Sequence, residues 1–157
     1  PARPSSRSAS PACGVARPMR ATLTRRVTFS AAHRYRRPEW TDAQNAAAFG
    51  PCAHPNWHGH TYNVDVTVGG EIDPQTGFCA DLFALDTALK REVFDVLDHR
   101  NLVLDVPEFA EGKAIPSSEN LAVWVARKVQ AALGSGTKVM RVRVSEAPGL
   151  WAEVEPG

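Results

Sequence analysis

HGHTYNVDVTV, residues 58–68, alternates without a break: Tyr62, Val64, Val66 and Val68 share one side, and Thr61, Asn63, Asp65 and Thr67 the other. Period-two alternation marks a strand with one face in a core and one in solvent. His58 and His60 continue the valine row backwards. Side chains two apart on a strand point the same way, ~7 Å apart along it. The strand therefore aims two imidazoles at one place, on the side where water is excluded.

Upstream, ATLTRRVTFSAAH (21–33) repeats the pattern. Leu23, Val27, Phe29 and Ala31 lie on one face, and His33 falls on that same face. Between the two strands, residues 38–57 carry Pro38, Gly50, Pro51 and Pro55 and read as one long loop, a length that in a compact domain is usually functional. Downstream, GGEIDPQTG reads as a turn-rich connection. Asp81 caps a helix bearing Leu82, Leu85, Leu89, Val93 and Val96 at helical spacing. Ser117 or Ser118 caps a second helix with Leu121, Trp124, Val125, Val129 and Leu133 on its apolar face, and Gly134 stops it. KVMRVRVSE places Met140, Val142 and Val144 in one row with Glu146 next, and LWAEV is a short last strand. The order ββααββ predicts an α+β fold: an antiparallel four-stranded sheet with two helices on one face.

The chain has 157 residues, 43% hydrophobic and 22% charged, with formal net charge +1. One domain with one core fits that length. A near-neutral balance gives no general pull to nucleic acid or anionic membrane, and no apolar run approaches the ~20 residues of a membrane span. Cys13, Cys52 and Cys79 are too scattered for a disulfide framework, so a reducing, cytoplasmic setting is expected. Residues 1–18, PARPSSRSASPACGVARP, are poor in apolar side chains and are expected to form a disordered tail. They lack the apolar stretch of a secretory signal and weakly resemble an organelle transit peptide. A translated region upstream of a start at Met19 explains them as well. Residues 19–157 form the expected single domain.

Chemistry gathers at a few positions. His33, His58 and His60 offer three neutral nitrogens with room for a fourth ligand, the pattern of catalytic zinc. Imidazoles also suit copper, nickel or iron. Cys52, six residues before His58, reads as a base or nucleophile with a pKa lowered by a nearby metal, as a fourth ligand closing a structural site, or as a small buried residue. Asp98 beside His99 reads as a carboxylate–imidazole proton relay or as a histidine placed by a helix C-terminus. Glu146 reads as a near-surface carboxylate or as an acceptor for paired ring N–H donors. His54 reads as a solvated loop residue.

Seven segments, FSAAH, CAHPNWHGH, GEIDPQTG, LDHRNL, DVPEF, PSSENLA and VSEA, stand in the order and spacing of the 6-pyruvoyltetrahydropterin synthases and their relatives, the 6-carboxytetrahydropterin synthases. The resemblance runs from Leu23 to Val154. It implies the tunnelling fold (T-fold), whose sheets close into a barrel on oligomerisation, and a homohexamer built as a dimer of trimers with sites at subunit interfaces. It implies Zn2+ on His33, His58 and His60, catalysis by Cys52, Asp98 and His99, and a pterin ring anchored by Glu146. Ser117 and Ser118 stand where the family has threonines lining the pterin pocket. His54 replaces a frequent asparagine, Cys79 stands where an aliphatic residue is usual, and the first eighteen residues have no counterpart. The implied substrate is 7,8-dihydroneopterin triphosphate, with Arg34, Arg36 and Arg37 either holding the triphosphate or forming a solvated basic stretch. The spacing from Cys52 to His58 resembles the pyruvoyl type. The Ala-, Arg- and Val-rich composition suggests a high-GC bacterium, which tips the expectation to 6-carboxytetrahydropterin, acetaldehyde release and the queuosine pathway. A non-enzymatic zinc- or pterin-binding module is the reading from another class, and a zinc hydrolase is a weaker one, since no glutamate base stands near the HxH pair.

Overall fold

A computed structural model describes residues 19–157; the expected tail, 1–18, lies outside the described residues. Strands β1 (Arg20–His33) and β2 (His58–Glu71) form a long antiparallel pair. The register puts Phe29 opposite Tyr62, Val27 opposite Val64 and His33 opposite His58. Between them stands α1 (Asp42–Phe49), followed by a 3-10 turn, Gly50–Ala53. After β2 come α2 (Leu82–Leu89), a single π turn (Lys90–Phe94) and α3 (Asp95–Leu97). Then follow β3 (Arg100–Asn101), α4 (Leu102–Asp105), α5 (Ser118–Leu133), β4 (Lys138–Ala147) and β5 (Leu150–Val154).

The sheet order is β3-β1-β2-β4-β5. The α+β expectation holds, but the sheet has five strands and is mixed, because β3 pairs parallel with β1 at Ala31 and Ala32. A two-residue strand has no periodicity for a sequence to display. The expected loop 38–57 contains α1, an Ala-rich helix with a weak apolar face. Its start is fixed by a capping box between Thr41 and Gln44, which satisfies two otherwise orphaned N–H groups.

The valine row does what its alternation requires. Tyr62, Val64, Val66 and Val68 are fully buried, packed with Phe29, Leu85, Leu89, Val93, Leu121, Val125, Val142 and Val144. Each such side chain contributes ~1.5–3 kcal/mol by leaving water. The helices cover this face alone; the other face carries Thr24, Arg26, Thr28, Asn63 and Asp65, joined across β1 and β2 by side-chain bonds. In β4 a register shift opposite Thr67 and Val68 changes the inward set. Val139 is buried and Met140 is exposed, the reverse of strict alternation, because a bulge inserts one residue into the count. Leu82, expected on the apolar side of α2, is exposed as well: it opens the helix, before the turn that reaches the core. Among the described residues no helix is long and apolar enough to cross a membrane.

Candidate functional site

The parity of β1 and β2 brings three rings together. His33 ends β1 facing the core, His58 starts β2 directly opposite, and His60 follows on the same side. Their candidate ligand atoms all lie within 4.8 Å of one another, with His33 Nε2 at 2.9 Å from His58 Nε2. Gly59 lets the strands meet here, since a Cβ on it would lie 2.9 Å from the Ala31 carbonyl oxygen.

His33 is fully buried. Burial pushes its pKa down to about 4, and the neighbouring rings push the same way. Burial and His60 also lower the pKa of His58. Neutral imidazoles carry the lone pairs that a metal needs. His58 Nδ1 and His60 Nε2 are buried with no hydrogen-bond partner, an arrangement that native proteins avoid unless something satisfies the atoms. The cluster therefore fits a metal ion in its donor type, in the lowered pKa of His33 and His58, and in its unsatisfied nitrogens.

Glu146 faces this cluster from β4. It sits at a second register shift, where Ser145 pairs with Trp151 and Ala147 with Leu150, leaving Glu146 between them without a partner on β5. Its side chain continues the inward row of Val142 and Val144, and the shift keeps a β5 partner from standing opposite it. Its carboxylate accepts a 3.0 Å bond from Ser118 Oγ at the start of α5, and its charge acts on His58, Cys52 and Tyr35. Ser117 is used differently, as the cap of α5, where its side chain accepts from Asn120 N.

Cys52 lies in the 3-10 turn after α1, half-buried and free. Its carbonyl accepts from Tyr35 N at 2.8 Å, which ties the turn to the segment leaving His33. Burial, and after it the charge of Glu146, hold its thiol above the usual range. The turn rests on α1, and α1 on Asn45, a buried amide that accepts from Arg37 N and donates to the carbonyls of Arg37, Trp40 and Thr41.

Asp98 and His99 form the expected pair, with His99 Nδ1 2.7 Å from Asp98 Oδ2. Asp98 Oδ1 accepts from Ser30 N and His99 N donates to Ser30 O, clamping the pair to β1. The Ser30 and His99 bonds hold the Asp98 carboxyl below its ordinary pKa. His99 adopts a left-handed backbone, φ 57°, and its exposed ring borders an open cavity of about 690 Å³ at the β3 edge of the sheet, lined by Ser30, Ala32, Gly59 and Thr61 together with Ala31 and His60 of the inward row. No hydrogen bond joins the Asp98–His99 pair to Cys52 among the described residues.

The basic run is already engaged. Arg36 pairs with Asp42 at 2.7 Å and Glu111 at 3.5 Å. Arg34 stacks over Trp57 and lies 3.9 Å from Glu111, and Arg37 donates to Lys113 O. His54 is exposed, as its loop position predicts, and its Nδ1 accepts from Asn56 N. Cys79 is free and half-buried in the connection from β2 to α2; the structure gives it no role. Tyr62, Gly59 and Asn45 escaped sequence reasoning as site residues. The one available signal was a tyrosine hydroxyl in a row of valines.

A T-fold domain with three histidines converging beneath a carboxylate is the class these observations define. A family model described as 6-pyruvoyl tetrahydropterin synthase matches residues 22–157. The human 6-pyruvoyl tetrahydrobiopterin synthase is 41% identical over 133 residues, 85% of this chain and 90% of that protein. The Drosophila melanogaster protein of the same name is 39% identical over 128 residues, 82% of this chain and 75% of its own. The solved Caenorhabditis elegans 6-pyruvoyl tetrahydropterin synthase superposes with a TM-score of 0.84 at 32% identity, covering 91% of this chain and all of that one. The chain belongs to the 6-pyruvoyl tetrahydropterin synthase family.

Proposed function

We propose that this protein is a zinc-dependent lyase that removes triphosphate from 7,8-dihydroneopterin triphosphate to give 6-pyruvoyltetrahydropterin. Family membership supports a pterin-processing enzyme. The observation that carries the finer reading is the convergence of the three imidazoles with Cys52 and Glu146 on one side of the sheet. The composition favoured the 6-carboxy product, but the relatives covering most of this chain are named for the pyruvoyl product, and that likeness bears more directly on the reaction.

His33, His58 and His60 would hold Zn2+, which when bound supplies Lewis-acid polarisation of a substrate oxygen. Glu146 accepts from the ring N–H groups and sets the reacting carbons in register with the base, while Ser118 holds that carboxylate in line. Cys52 as thiolate takes the proton at the carbon next to the ring. The Asp98–His99 pair serves the second proton position. Because it stands at the β3 edge of the sheet, clamped to Ser30 with an exposed ring, it serves the site of a neighbouring copy, in a homohexamer built as a dimer of trimers. Two features support assembly: among the described residues, most of the outer edge of β1 lacks a strand partner, and so does the whole outer edge of β5. Such edges are normally covered. With Arg34 and Arg36 in local ion pairs, the triphosphate draws on other cations.

The test is incubation of the zinc-loaded protein with 7,8-dihydroneopterin triphosphate, with products identified by mass spectrometry. The expected result is 6-pyruvoyltetrahydropterin and triphosphate without acetaldehyde. Stoichiometric acetaldehyde would establish the 6-carboxy reaction instead. Full turnover by Cys52→Ala would remove the thiolate from the mechanism, and tight pterin binding with no turnover would leave a binding module.

A further inference from the structure

We infer that Tyr62 is a positioning residue for the metal cluster, its hydroxyl sharing the His33 Nδ1 proton with a backbone carbonyl and so holding the ring with Nε2 toward the other two rings. The inference rests on the metal reading of that cluster. His33 Nδ1 lies 3.2 Å from the Pro116 carbonyl oxygen and 3.1 Å from Tyr62 Oη. A carbonyl can only accept, so the ring proton sits on Nδ1, shared between two oxygens, and the lone pair sits on Nε2. Nε2 is the atom turned toward His58. Ligating histidines are commonly oriented in this way through their second nitrogen.

Tyr62 is well placed for this. It stands two residues after His60 in the inward row, fully buried. Its ring stacks on Phe29, centroids 5.2 Å apart and planes 21° apart, which leaves the hydroxyl little freedom. Among the described hydrogen bonds, the hydroxyl's partner is His33 Nδ1. Phenylalanine would pack equally well in a valine-lined row, so packing alone does not require the oxygen. Pro116 contributes only backbone and cannot be removed by substitution. Tyr62 is the side chain through which the hold on the His33 ring can be changed.

The experiment measures Zn2+ affinity by chelator competition, and the visible spectrum of the Co2+-loaded protein, in wild type, Tyr62→Phe and Phe29→Leu, with the melting temperature of each metal-free form. We expect Y62F to bind Zn2+ about 10- to 100-fold more weakly, with an altered Co2+ spectrum and a metal-free melting temperature near wild type. F29L, which loses the stack and keeps the hydroxyl, melts earlier and keeps wild-type affinity. Y62F affinity within about twofold of wild type overturns the inference and leaves the metal reading standing. So does an equal loss in F29L, which would make the effect one of packing. A wild-type chain that fails to bind Zn2+ removes the metal reading and this inference with it.

Discussion

Replacing Gly59 by alanine tests the geometry of the cluster most directly. The new Cβ would stand 2.9 Å from Ala31 O, against 3.4 Å or more for ordinary contact. The obstructing atom is backbone, so no side chain can swing away. Strands β1 and β2 must part by roughly half an ångström at the pair that precedes His33, beyond the ~0.2 Å within which metal–ligand distances hold. Overpacking of this kind costs about 1–3 kcal/mol, or about 3–10 °C in melting temperature at this chain length. Zinc affinity falls in addition, by about 10- to 100-fold, because His33 and His58 sit on opposite sides of the widened gap. Thermal unfolding with and without Zn2+, alongside chelator competition, reads both effects. Gly136→Ala is the internal control: nothing lies within 4 Å of its Cβ, so it is neutral or gains about 0.4–1 kcal/mol. A Gly59→Ala protein that melts with wild type and binds Zn2+ equally would refute the claim that close strand approach builds the site.

Three further outcomes follow from contacts described above. Ser118→Ala removes a charge-assisted bond to Glu146, worth about 1.5 kcal/mol or more; KM for the pterin rises about tenfold while zinc affinity is retained, as steady-state kinetics and metal titration would show. Asn45→Ala breaks the bonds that hold the 37–45 segment and costs about 2–3 kcal/mol, with faster amide exchange around Cys52 as the local signature. Glu146→Gln withdraws the negative charge that helps raise the Cys52 pKa. More thiolate is then present at a given pH, so Cys52 in the metal-free protein alkylates faster near neutrality, measured on its own peptide by mass spectrometry. An unchanged or slower rate would mean that Glu146 does not act on the thiol.

The inward row of β2, its pairing with β1 and the three histidines were legible because all depend on parity, which sequence displays directly. The cap at Asp81, the cap at Ser117 and the stop at Gly134 were legible because each rests on local backbone chemistry. Helix α1 was missed because its alanines give little amphipathic signal; its one local mark was the Thr41–Gln44 box. Met140 was placed inward because a bulge cannot be counted from one strand alone. The roles of Cys52, Asp98 and His99 were assigned together from resemblance. Sequence order could not show that Asp98 and His99 stand at the sheet edge, clamped to Ser30, since that depends on how β3 docks against Ala31 and Ala32.

The hairpin that carries Glu146 has an unusual tolerance profile. Pro148 and Gly149 form an exposed turn between β4 and β5, with Gly149 at φ 80°. Surface turns of this sort ordinarily accept insertions and deletions. Here Glu146 continues the inward row of Val142 and Val144, and the one extra residue of β4 leaves it with no partner on β5. Losing a single residue beside the turn would let the ladder close evenly and set a β5 residue opposite Glu146, closing the gap beside the histidines. The segment should therefore accept changes of residue and reject changes of length, a constraint on alignment gaps set by counting.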